Sequence, residues 1–376
     1  GDLNKAGEII RQTSMLPSVC GRVCPQERQC EGNCILGIKG EPVAIGALER
    51  YVGDNTKAEM PEIKPSGKKV AVVGSGCAGM TAACDLRKEG HEVEVFEALH
   101  ELGGVLRYGI PPFRLPRVVL DREIENLKAM GVKFHKNVIV GKSITLKQLK
   151  EDGFDAIFIC SGAGLPKMLH VPGENLNGVF SANEFLTRVN LMHAGQPDSP
   201  TPLKVGKKAA IFGGGNVAMD AARTAVRVGF EEVYIIYRRT EKELPARLEE
   251  IRHAKEEGVV FKFLYAPKEI IGENGYVKAV ELEVMELGEP DESGRRRPVS
   301  TGKTEIMDLD TVIVALGTGP NPIIQRSAEA DGIEIITDKK GYITVDGETR
   351  ATNIPTVYAG GDVAPVGESN AINAMG

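Results

Sequence analysis

Two stretches of one pattern decide the fold: KKVAVVGSGCAGMTAACDLRKEGHEVEVFE at residues 68–97, and KKAAIFGGGNVAMDAARTAVRVGFEEVYIIYRR at residues 207–239. Each reads as a buried strand, a Gly-rich turn, a helix that ends near a glycine and a second strand. Lys68, Gly74, Gly76, Gly79 and Gly90 recur 139 positions later as Lys207, Gly213, Gly215, Ala218 and Gly229. An internal repeat of this kind points to an α/β protein with two dinucleotide-binding units.

The physics of each turn explains its residues. The first glycine permits a tight turn after the strand, the second lets the backbone approach a pyrophosphate, and the third small residue lets helix pack on sheet. The helix N-terminus then offers unpaired N–H groups and the positive end of its dipole. The first turn supplies Gly74, Ser75, Gly76, Ala78 and Gly79; the second supplies Gly213, Gly215, Asn216, Val217 and Ala218. The end of the second strand selects the nucleotide. Glu97 stands where a carboxylate accepts from ribose hydroxyls, as in an adenosine without a 2′-phosphate. With one inserted residue allowed, Tyr237 takes that place in the second copy, followed by Arg238 and Arg239. Guanidinium groups bind a 2′-phosphate that a carboxylate would repel. FAD is therefore assigned to the first turn and NADPH to the second; the other reading of Arg238 and Arg239 is a solvated strand end. Hydride transfer between these cofactors needs positioning, not an acid or base. No catalytic residue is assigned, and the six His are scattered.

Outward from the repeat, 376 residues at ~150 per domain allow two to three domains. With 52 acidic and 46 basic side chains, the net charge is −6, and no basic run extends beyond Arg295, Arg296 and Arg297. Neither nucleic acid nor an anionic membrane is expected as a partner. No stretch reaches the ~20 apolar residues of a span and no leader pattern opens the chain, so a cytoplasmic location is expected. Linkers are read at Asp54 to Gly67, with Pro61 and Pro65, and at Ala194 to Gly206. The strands IFICSGAG at 157–164 and VIVALGTG at 312–319 suit crossings between two nucleotide domains. VYAGGD at 357–362 reads as a strand whose Asp362 faces a flavin ribityl chain, with a helix start at Ser369 to Ile372.

Seven Cys, four of them between Cys20 and Cys34, suit a metal or cluster site in a reducing compartment better than a disulfide framework. The C-x3-C-x5-C-x3-C run, with Pro25 after Cys24, is similar to 4Fe-4S-binding runs; structural zinc is the alternative. No C-x2-C or C-x4-C pair follows Cys34, which argues against thiol–disulfide reduction. Cys77, Cys84 and Cys160 read as small buried residues.

These motifs, with CGRVCPQERQCEGNC at 20–34, GGVLRYGIPPFRLP at 103–116 and AGGDV at 359–363, resemble the two-dinucleotide-binding-domain flavoproteins. Within them the chain resembles the NADPH-dependent glutamate synthase small-subunit family. The resemblance implies two Rossmann-like domains, the NADPH domain inserted in the FAD domain, behind a small helical iron–sulfur domain. The implied boundaries are 1–65 for the iron–sulfur domain and linker, 66–169 with 319–376 for FAD, and 170–318 for NADPH. It adds Gly104, Arg114, Gly361, Asp362 and Ala371 to the FAD residues and Gly317 to those around NADPH. It makes Cys24, Cys30 and Glu49 ligands of one 4Fe-4S cluster and Cys34 of another, with Cys20 close but not ligating. The first Cys group of the family is expected upstream of residue 1 and its last helix beyond Gly376, so the ligand set is incomplete and the chain reads as a piece of a longer one.

The implied function is electron input, NADPH to FAD and on through 4Fe-4S clusters to a large glutamate synthase subunit or another acceptor subunit. The same parts occur in the flavin-bifurcating NADH-dependent ferredoxin:NADP oxidoreductase and in the N-terminal half of dihydropyrimidine dehydrogenase. A third expectation, from a different class, is a zinc-stabilised binding module without catalysis.

Overall fold

The computed structural model describes residues 1–57, 62–290, 296–365 and 371–375; Pro61, Arg295 and Ser369 lie outside them. The chain divides into two compact units, one of Gly1–Arg107, Pro112–Leu165 and Gly319–Gly376, the other of Tyr108–Pro111 and Pro166–Thr318. Among the described residues no helix is long and apolar enough to cross a membrane.

In the first unit five parallel strands lie in the order Val357–Ala359, Ala156–Ile159, Lys69–Val73, Glu92–Phe96 and Lys133–His135. A parallel sheet is covered on both faces, so its strands are apolar at nearly every position. Val70, Ala71, Val72 and Val73 are all buried. Ala71, Val73, Ile157, Ile159, Val357 and Ala359 share one core cluster with Leu146, Leu149 and Phe154. Helix Cys77–Lys88 follows the first strand directly. Strand order reverses between Lys69–Val73 and Ala156–Ile159, and ligands of open α/β sheets bind outside the strand ends at such a point.

The same unit carries the N-terminal helices Leu3–Arg11, Pro17–Val23 and Ile45–Asn55, with Cys20 in the second and Cys24, Cys30 and Cys34 in the segment after it. They cross closely because small residues meet: a Cβ on Gly53 would lie 2.6 Å from Ser18 Oγ, and one on Gly21 2.6 Å from Gly46 O. Arg122, from helix Arg117–Ala129, ties this module down. Its guanidinium donates to Ser18 Oγ at 2.7 Å, Gly53 O at 3.1 Å and Asp54 O at 3.3 Å. Arg22 grips Asp54 with two bonds of 2.8 and 2.7 Å. Arg122→Ala removes three bonds to buried or half-buried acceptors and is expected to cost about 2 kcal/mol. Limited proteolysis reads it: faster cleavage within residues 1–57 is the expected result, and digestion unchanged from the parent contradicts it.

The second unit repeats the sheet order, with Val179–Ser181, Thr311–Val314, Lys208–Phe212, Glu232–Tyr237 and Val260–Phe263 in parallel. Alternation along Lys208–Phe212 serves two cores. Ala209 and Ile211 pack with Ala218, Ala221, Ala222 and Ala225 of helix Asn216–Val228, while Ala210 and Phe212 pack with Ile270, Val277, Val280 and Leu282. The second set belongs to an antiparallel three-stranded sheet, Tyr265–Glu273, Tyr276–Pro290 and Arg296–Asp308. Sequence reading assigns this region only to a general α/β pattern; here a sheet covers the face.

One buried group of charges in this unit is paired. Arg223 bonds Glu250 at 2.5 Å and Glu257 at 2.9 Å, and Arg227 also holds Glu257. Burial raises the Glu257 pKa, but the hydrogen bonds and charge of Arg227 and Arg223 outweigh it and hold the carboxyl at about 2, against an ordinary 4.5. A depressed carboxyl stabilises the fold above its unfolded pKa and loses that contribution as pH falls through the folded one. The expected loss therefore runs from about pH 4.5 down to about 2. Acid unfolding followed by circular dichroism checks it: Glu257→Gln should flatten that part of the profile, and an unchanged profile contradicts the assignment.

Candidate functional site

Each Gly-rich turn closes on the strand across the switch point. Gly74 has φ +116°, and a Cβ on it would lie 2.6 Å from Cys160 O; Gly213 has φ +151°, and its Cβ would lie 2.3 Å from Ala315 O. Only glycine fits both demands. Gly79 is tighter still, its Cβ position being 1.9 Å from Gly74 O. The matching Ala218 is fully buried and accommodated.

The second glycines behave differently. A Cβ on Gly76 would meet nothing within 4 Å, and one on Gly215 only Pro245 Cγ at 4.0 Å. Each caps its helix with extended backbone and no side chain. These are open cradles at helix N-termini, the space a pyrophosphate requires.

Around the first turn the structure gathers several of the expected residues. Gly104 has φ +51°, with its Cβ position 3.0 Å from Gly76 Cα, and Gly361 has φ +68°, with its Cβ position 2.9 Å from Ala78 Cβ. Asp362 lies close enough to raise the Cys77 thiol, although burial is the larger cause; together they push it up to about 12. Ala371 begins helix Ala371–Met375, which packs on helix Cys77–Lys88. Arg114 is half-buried in the turn after Pro111.

Glu97 does more than sequence suggests. It is 5% exposed, and its Oε2 accepts from Ser75 N–H at 3.0 Å and from the Ser75 hydroxyl, while Oε1 accepts from Leu99 N–H at 2.9 Å. Ser75 Oγ in turn accepts from Gly103 N–H at 3.0 Å. One carboxylate thus joins the turn, the strand end and the Gly103 segment, with lone-pair capacity left on Oε1.

In the second turn Tyr237 replaces that carboxylate. Its ring lies where a Cβ on Gly214 would come within 2.8 Å, and its hydroxyl donates to Glu243 O at 2.8 Å. Arg238 is exposed; Arg239 is buried, and its Nε has no hydrogen-bond partner among the described residues. Val217 stands half-exposed in the first helical turn, and Gly317, at φ +95°, accepts from Lys167 N–H at 3.0 Å. Sequence reading missed one wall. Segment 244–247 folds back on the turn, with Ala246 N–H donating to Gly214 O at 3.2 Å and Arg247 N–H to Asn216 Oδ1 at 2.9 Å.

The expected cluster ligands are not drawn together. Cys24 is buried, Cys30 exposed and Cys34 half-exposed, and Glu49 accepts from Ser14 Oγ at 3.3 Å. Among the described residues no three His, Cys, Asp or Glu side chains converge as a metal site. Cys24, Cys30 and Glu49 remain candidate ligands, because thiolates gather when the metal binds. Cys34 is the best prepared: N–H groups of Val43 and then Leu36 pull its thiol below the ordinary value. Burial pushes Cys30 and Glu49 up. Cys20, raised first by its hydrogen bond with Cys24 and then by burial, touches Met375 Sδ at 3.5 Å.

Comparisons with known proteins fit this geometry. Residues 68–376 match the pyridine nucleotide-disulphide oxidoreductase family model, and residues 1–60 match dihydropyrimidine dehydrogenase domain II, 4Fe-4S cluster. The chain is 40% identical to the NADP(+)-dependent formate dehydrogenase subunit beta of Moorella thermoacetica, over 94% of this chain and 52% of that one. It is 38% identical to the glutamate synthase [NADPH] small chain of Escherichia coli, over 96% of this chain and 79% of that one. The chain therefore spans about half the length of the first of these relatives. Among solved structures, FprA of Mycobacterium tuberculosis in complex with NADPH shares the fold, with a TM-score of 0.67 at 23% identity over 83% of each chain.

Proposed function

The chain belongs to the pyridine nucleotide-disulphide oxidoreductase family, and from that premise we propose that it is the electron-input part of a larger enzyme, taking electrons from NADPH onto FAD and passing them to a large partner subunit. It is an NADPH-dependent flavin oxidoreductase with a 4Fe-4S domain, as its relatives and both family matches indicate. The observation that carries the assignment of cofactors to sites is the contrast at the two strand ends, Glu97 against Tyr237, Arg238 and Arg239.

The residues fit both nucleotides. In the first turn, the open space at Gly76 and the buried Glu97 carboxylate suit the pyrophosphate and adenosine ribose of FAD. Gly74, Ser75, Ala78, Gly79, Gly104, Arg114, Gly361, Asp362 and Ala371 complete that set. In the second, the open space at Gly215 and the Nε of buried Arg239, without a partner among the described residues, suit a phosphorylated adenosine. Gly213, Asn216, Val217, Ala218, Arg238 and Gly317 complete it. Bound there, a flavin would supply a hydride acceptor for the nicotinamide and a donor of electrons onward. The protein's work is to bind and orient both; the hydride step itself asks no side chain for a proton. Cys24, Cys30, Cys34 and Glu49 are the candidate cluster ligands and would hold the 4Fe-4S groups.

For the acceptor, the glutamate synthase large subunit is the leading proposal, supported by small-chain relatives in several bacteria. A second reading, input to a formate dehydrogenase-type assembly, is favoured by the 40% identity to that beta subunit. The test mixes the purified full-length protein with NADPH and a one-electron dye, then with each candidate large subunit. Dye reduction alone, and glutamate formation from glutamine and 2-oxoglutarate only when the glutamate synthase large subunit is added, is expected. No dye reduction overturns the electron-input reading, and coupling to formate chemistry moves the second reading ahead.

A further inference from the structure

We propose that nucleotide choice in the second turn is set by the Gly214–Tyr237 contact acting with the arginines, not by the arginines alone. The inference rests on reading that turn as the NADPH site. Register puts the two copies in step: Val73 pairs with Phe96 and Phe212 with Ile236, so Glu97 and Tyr237 each stand one residue past the pairing with the first strand of their unit. Ser75 and Gly214 are likewise the second residue of each turn.

Each copy carries a matched pair. In the first, Ser75 donates its N–H at 3.0 Å and its hydroxyl to Glu97. In the second, the absence of a side chain at Gly214 admits the Tyr237 ring, since a Cβ there would lie 2.8 Å from two ring carbons and from Leu244 Cδ2. The ring is pinned at its far end by the bond to Glu243 O, and Glu243 is held by Thr240 N–H at 2.9 Å. The pairs do not mix. A serine opposite the ring is crowded; a glutamate opposite Gly214 loses its hydroxyl donor and faces a 2′-phosphate as a like charge. Tyr237 thus puts a neutral surface where Glu97 puts a negative one, and leaves the phosphate to Arg238 and to buried Arg239.

The test is the rate of anaerobic flavin reduction by NADPH and by NADH in Gly214→Ser, Tyr237→Glu and the double variant, with flavin content as the measure of folding. The double variant is expected to lower the NADPH:NADH preference on the order of 100-fold and to use NADH about tenfold better than Tyr237→Glu alone. A size-only pair covers the case in which the charged variants do not fold: Gly214→Ala should weaken both nucleotides about tenfold and adding Tyr237→Leu should relieve it. Purely additive single changes, or Gly214→Ala binding NADPH like the parent, overturns the proposal. If the parent itself uses NADH and NADPH equally, the reading beneath falls instead, a result distinct from failure of the pair.

Discussion

Gly79→Ala is expected to yield protein nearly devoid of flavin, with absorbance from bound flavin down tenfold or more. The added methyl would sit 1.9 Å from Gly74 O and 3.1 Å from Cys160 Sγ. Neither neighbour is the flexible end of a long side chain. The turn must therefore move, and with it the Ser75 donors to Glu97 and the Gly103 segment hung on Ser75. Overpacking of this kind costs about 3 kcal/mol at the upper end of its usual range. Ala218→Gly at the matching place in the second unit is the control: it adds no crowding, its expected cost is about 1–2 kcal/mol from helix propensity and the lost buried methyl, and flavin content should be unchanged. Full flavin content in Gly79→Ala would show that the first turn is not where the flavin pyrophosphate sits.

The second large effect is at the strand end of the second unit. Replacing Arg238 and Arg239 together by glutamine should raise the KM for NADPH roughly 100-fold, about 3 kcal/mol, while leaving NADH nearly unaffected. Charge-assisted bonds to a phosphate are worth more than neutral ones, and the Nε of buried Arg239, without a partner among the described residues, is the better placed of the two. Steady-state kinetics with both nucleotides measures it. An equal rise for NADH and NADPH would mean that the pair supports the fold and does not read the 2′-phosphate.

Much of this architecture is legible in the sequence for specific reasons. The two fingerprints are visible because a positive φ at Gly74 and Gly213, open space at Gly76 and Gly215 and close packing at Gly79 each demand a glycine at fixed spacing, and Gly229, in the left-handed conformation at φ 107°, ends its helix where the repeat places it. The equivalence of Glu97 and Tyr237 follows from counting strand residues with one insertion, and strand register reproduces that count. The Ser75 bridge was not legible, because a serine in a turn gives no sign that its partner lies 22 residues away. The wall at 244–247 hid for the same reason: its contacts are made by backbone N–H groups, which carry no sequence signature. Residues 276–287 alternate as a strand does, yet period alone does not say that this sheet takes the place of a helix against Ala210 and Phe212. Cysteine spacing announces a cluster module, whereas the positions of the thiols depend on a metal that sequence cannot supply.

Electrons that enter from NADPH and rest on a flavin in the same chain are the core of the proposed function. An anaerobic visible spectrum of the full-length protein, titrated with NADPH and, on a fresh sample, with NADH, tests this most directly. Flavin bands that bleach at far lower NADPH than NADH are the predicted result; a colourless protein, or flavin bands untouched by NADPH, would contradict it.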